Sequence, residues 1–70
     1  MTVADYKAVL YRSVDGSWVA EIPAIPGCYA LTATRGTALT ELRKVFAIIA
    51  AEYRDKGLSL PADSTEILHV

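Results

Sequence analysis

Val9-Leu10-Tyr11-Arg12-Ser13-Val14-Asp15-Gly16-Ser17-Trp18-Val19-Ala20-Glu21-Ile22-Pro23-Ala24-Ile25-Pro26-Gly27-Cys28 is the stretch that decides the fold. Val9, Leu10 and Tyr11 favour a strand, and Asp15-Gly16 after them is a hairpin signal. Residues 6–13 are therefore expected as one strand and 17–22 as its antiparallel return. On the return strand Trp18, Ala20 and Ile22 share one face, with Val19 opposite. Pro23 and Pro26 each remove a backbone donor, so the strand must stop before them. Pro26-Gly27 fits the centre of a type II turn, where proline sets the first φ and glycine accepts a positive second φ. Pro23, Pro26 and Gly27 are thus expected to shape a rigid loop, a crossover between strands. A third strand over 28–33 follows, with Tyr29, Leu31 and Ala33 alternating against Cys28, Ala30 and Thr32.

Beyond this stretch the period changes. Ala38, Leu42, Val45, Phe46, Ile49 and Tyr53 recur at helical steps and form one apolar stripe. A helix is expected from Thr34, whose hydroxyl can accept from the free amides of the first turn, to about Lys56. Gly57 stands where a left-handed cap belongs. Leu60-Pro61 opens a connector, and 65–69 is read as a short final strand. The expected architecture is α+β, in the order β-β-β-α-β, with one helix packed on a small, mainly antiparallel sheet. Residues 1–70 form a single domain.

The apolar pattern exceeds what one helix can cover. Val9, Tyr11, Val19, Tyr29 and Leu31 lie on one sheet face, and Ala8, Leu10, Trp18, Ala20 and Ile22 on the other. A sheet with one wet face should alternate apolar with polar, and this one does not. Ile48, in line with Ala47 and Ala51, also falls off the helix stripe. Hydrophobic residues make up 53% of the chain, while a domain this small buries only about 60% of the surface its unfolded chain exposes. Association with a partner or a second copy is expected, with Trp18, Val19, Tyr29, Ile48 and Ala51 as the contact residues.

Charge and chemistry narrow the classes. Seven basic against eight acidic residues give a net charge of −1, which is not the basic stripe of a nucleic-acid binder. The lone cysteine, Cys28, cannot close an internal disulfide, so the expected compartment is the reducing cytosol. The longest apolar run, 45–51, is far shorter than the ~20 residues of a membrane span. The segment 1–5 has neither the basic nor the apolar region of a signal peptide. No catalytic, metal-binding or cofactor-binding set is expected. Cys28 lacks a neighbouring base and reads as a small core residue. His69, the single histidine, lies near the chain end and reads as exposed. Glu41 and Glu52 lie on the helix at neither three- nor four-residue spacing. Glu21 sits alone in mid-strand, and a nuclease would need it to converge with Asp5 or Glu66.

The ordered set Asp15-Gly16, Ser17-Trp18-Val19-Ala20, Ile22-Pro23-x-x-Pro26-Gly27-Cys28, a threonine opening a helix with Ala38-Leu39, and Leu60-Pro61 resembles the N-terminal domain of the HicB-like antitoxin family. The likeness runs from Tyr6 to Pro61, and the Ile-Pro-x-x-Pro-Gly-Cys segment is its most specific part. It implies a truncated ribonuclease-H-like fold without the acidic constellation of the enzymes. It also implies a non-enzymatic protein-binding module that forms dimers or tetramers and occludes a small basic RNA-cleaving toxin of the HicA type. The chain resembles the short, stand-alone members and is expected to lack their relatives' DNA-binding segment. Where the family carries a pair of acids in the first helical turn, this chain has Gly36-Thr37. Two other readings follow from the residues: an orphan homo-oligomeric scaffold without a toxin, and a minimal metal-dependent nuclease.

Overall fold

The computed structural model describes residues 2–69. Three antiparallel strands, β1 (Val9–Arg12), β2 (Trp18–Glu21) and β3 (Tyr29–Thr32), lie side by side in chain order. The helix α1 (Arg35–Asp55) packs across one side of them. This is the expected α+β layering through the helix. The strand expected over 65–69 is absent: that segment has no regular secondary structure and no ladder partner among the described residues. Strand preference in so short a segment yields a strand only where a neighbour takes up its backbone groups.

The first strand is shorter than expected because its leading residues do other work. A single 3-10 turn, Val3–Asp5, precedes it, held by the Thr2 amide donating to Asp5 Oδ2 at 2.7 Å. Tyr6 then turns into the core. The β1–β2 hairpin has three loop residues, Val14, Asp15 and Gly16, rather than a two-residue turn. The Gly16 amide donates to Ser13 O, and Gly16 takes φ +89° before Ser17 resumes the ladder with Ser13. Asp15 Oδ1 locks this loop by accepting from the Ser13 hydroxyl (2.6 Å) and the Ser17 amide (3.0 Å). The Ser13 hydroxyl first, then Ser17, holds the Asp15 carboxyl below its ordinary value.

The proline segment is a hairpin connection between neighbouring strands, not a crossover, because β2 and β3 pair directly. Two turns follow each other. The Ile25 amide donates to Ile22 O, and the Cys28 amide donates to Ile25 O across Pro26-Gly27, with Gly27 at φ +77° as a type II turn requires. The consecutive turns fold Ile25 back into the core between the two exposed prolines.

The helix starts and stops as its sequence predicts. Thr34 caps it by accepting from the Thr37 amide (3.2 Å). At the other end the Gly57 amide donates to Arg54 O and the Leu58 amide to Tyr53 O, a Schellman closure with Gly57 at φ +69°. Ala38, Leu42 and Phe46 are its buried residues. They meet Tyr6, Ala20, Ile22, Ile25, Cys28 and Ala30. Phe46 lies against the Tyr6 ring with centroids 5.6 Å apart. Ala20, Ala30 and Ala38 are small enough to let the helix approach the sheet closely.

Candidate functional site

The register sets the two faces of the sheet. Tyr11, Val19 and Leu31 stand in one row, and Val9, Glu21 and Tyr29 in the next. Side chains directly opposite on paired strands sit about 4.5–5.5 Å apart, so these rows make one continuous patch. Leu10, Ala20 and Ala30 form the intervening row, on the opposite side under the helix. The patch is open. Tyr11 is 46% exposed, Tyr29 59% and Leu31 60%, beside half-buried Val9 and Val19. This exposed apolar area is gathered in adjoining rows rather than scattered singly. Within the paired rows the open face carries one charge, the Glu21 carboxylate, set between Val9 and Tyr29.

The residues expected to make contacts fall on three surfaces. Val19 and Tyr29 lie on the open face. Trp18 lies on the helix side, in a row with Arg12 and Thr32, half-buried against the core. The Arg12 guanidinium lies over its ring at 5.5 Å. Ile48 is 60% exposed on the helix, and Ala51 is half-buried. Tyr11 and Leu31 complete the open face; strand alternation already assigned them to it. Pro23, Pro26 and Gly27 cap the sheet end next to Tyr29 without joining the patch.

Cys28 and Asp5 are engaged elsewhere. Cys28 is buried, and burial pushes its thiol pKa up, away from the nucleophilic thiolate. The Asp5 carboxylate accepts from the Thr2 amide. Among the described residues no three His, Cys, Asp or Glu side chains are grouped to hold a metal ion. His69 and Glu66 are exposed on the final segment. No described helix is long and apolar enough to cross a membrane.

A second feature, which sequence reasoning did not anticipate, ties that final segment down. The Tyr6 hydroxyl donates to Pro61 O at 2.6 Å, and the Lys7 amide donates to Asp63 Oδ2 at 2.6 Å. Lys7 Nζ stands 3.8 Å from the same oxygen. Asp63 Oδ1 accepts from the Thr65 amide at 3.0 Å, bending the chain at its own position. The Lys7 amide first, then Thr65, lowers the Asp63 pKa. Burial, and then the nearby Asp5 and Asp63 charges, raise that of Tyr6.

Comparison with known proteins finds one distant likeness. The chain is 25% identical to the UPF0150 protein Ta0767 of Thermoplasma acidophilum over 65 residues, covering 93% of this chain and 94% of that one. No family model matches the chain. No solved structure matches it. The chain is thus similar, nearly end to end, to a small archaeal protein, with a β-β-β-α fold and one bare apolar sheet face.

Proposed function

We propose that this chain is a non-enzymatic protein-binding module, a HicB-like antitoxin domain that self-associates and occludes a small basic RNA-cleaving toxin of the HicA type. The observation that carries the reading is the open sheet face, where Tyr11, Tyr29 and Leu31 lie exposed in adjoining rows. Aromatic anchors with few rotatable bonds supply much contact area at low entropic cost, which is why tyrosine is enriched in interfaces. Glu21, the one charge in those rows, favours a basic partner over an acidic one.

The mechanism is steric. The sheet face covers the toxin's active-site side, and the mild acidity of the chain speeds encounter with a basic protein. The test is co-expression of the tagged chain with the protein encoded by the adjacent reading frame, followed by light scattering. The reading predicts a stoichiometric complex with a small basic protein that is toxic when expressed alone. A homo-oligomer that retains no such protein contradicts the toxin reading and favours the scaffold. Magnesium- or manganese-dependent RNA cleavage abolished by Glu21→Gln would replace both with the nuclease.

A further inference from the structure

We propose that residues 65–69 of one copy pair as a fourth strand along the free edge of β1 in a second copy, reciprocally, so that the sheet is completed only in the dimer. The inference deepens the self-associating part of the reading above and stands or falls separately from the toxin.

Four observations lead to it. First, the edge is unpaired. The Ser13 amide donates to Ser17 O at 2.7 Å, so by antiparallel alternation Ser13, Tyr11 and Val9 bond to β2 while Leu10 and Arg12 direct their amides and carbonyls outward. Among the described residues no backbone hydrogen bond outside the ladder involves Leu10 or Arg12. β1 contains no proline to block pairing. Second, the helix lies over β2 and β3, leaving the inner side of β1 as an overhang. Leu10 there is only half-buried.

Third, the final segment has the right chemistry and no ladder partner among the described residues. Ile67 is 66% exposed and Leu68 72%. Consecutive residues of a strand point to opposite faces. On the β1 edge one of this pair would fill the overhang beside Leu10, and the other would extend the open apolar face beside Tyr11. Asp63, bound to the Lys7 amide and to the Thr65 amide, roots the segment just before β1 and bends it there, while its own edge stays unpaired. A root beside β1 suits a two-fold arrangement in which the two β1 edges face each other.

Fourth, the single chain is too open for its mass. It exposes 4955 Å², whereas a compact monomer of 7.6 kDa exposes about 4,300 Å². Its radius of gyration is 12.7 Å, against about 11 Å for a compact chain of 70 residues. The excess of roughly 650 Å² approaches the ~800 Å² that each partner buries in a standard interface.

The test is isotope-filtered NMR on the full chain, mixing copies carrying ¹³C-labelled Ile and Leu methyls with unlabelled copies. The expected result is a set of filtered contacts from the Ile67 and Leu68 methyls to Leu10 and Tyr11 of the unlabelled copy. Light scattering should give twice the chain mass, falling to a folded monomer in Ile67→Asp with Leu68→Asp, both of which are exposed in the single chain. Deletion of 64–70 should do the same. Contacts found only within one chain, their complete absence, or a double variant that remains dimeric would each overturn the proposal. Retention of the basic protein by the monomeric double variant would show that the toxin reading survives independently.

Discussion

The two faces of the sheet are built from the same three strands, yet they meet opposite fates. The inner face is lined at its centre by Ala20 and Ala30, with Ile22 and Cys28 beyond, and is buried beneath Ala38, Leu42 and Phe46. The outer face carries larger side chains, Tyr11, Val19, Tyr29 and Leu31, and among the described residues no helix or strand lies over it. Burial therefore follows the covering layer, not the hydrophobicity of the strand. The single helix of 21 residues covers one face, and the small residues show which one it was fitted to. The larger side chains of the outer face, Tyr11, Tyr29 and Leu31, stay exposed.

That comparison can be broken by mutation. The largest effect belongs to the covered side. Phe46→Ala removes a ring from the core and from its contact with Tyr6, and should cost about 3–5 kcal/mol by urea denaturation. A smaller cost is expected at the loop that joins β2 and β3. Gly27→Ala meets no atom within 4 Å, so only the backbone conformation at φ +77° resists it, for roughly 1 kcal/mol. On the open face, Tyr29→Thr with Leu31→Thr keeps strand-forming residues and should change stability by no more than about 0.5 kcal/mol. An equal loss from the Phe46 and open-face variants would show that the outer face is also packed within the single chain.

The smallest effect concerns the rooted final segment. The Asp63 carboxyl is held below its ordinary value by the Lys7 and Thr65 amides and, last, by the Lys7 charge. Its contribution is therefore fully present above pH about 3.8 and is lost as the pH falls through the lowered value. Asp63→Asn should weaken the root at neutral pH and flatten this acid dependence. Tail resonances followed by NMR between pH 5 and 2 would check it, and identical profiles in both chains would contradict it.

Much of this was legible in the residues. The helix stripe from Ala38 to Tyr53, the cap at Gly57 and the turn at Pro26-Gly27 each follow from a local rule, and each stands where that rule puts it. Strand alternation also placed Tyr11, Val19, Tyr29 and Leu31 together. The misses are tertiary. Tyr6 reads as a strand residue, but its ring fills the core and its hydroxyl reaches Pro61, 55 residues away, so β1 begins later. The final segment reads as a strand, but a strand needs an edge, and which edge it finds is not written in its own residues. Trp18, opposite Val19 by strand alternation, stands on the helix side as that alternation places it, packed against the core under Arg12.

The most direct test of the proposed binding surface is the amount of the protein encoded by the adjacent frame that the tagged chain retains with and without Tyr29→Thr and Leu31→Thr. The account predicts that the double variant stays folded and retains at least about tenfold less, a loss of ~1.4 kcal/mol or more. Equal retention by the two chains, or no retention by the unmodified chain, would contradict it.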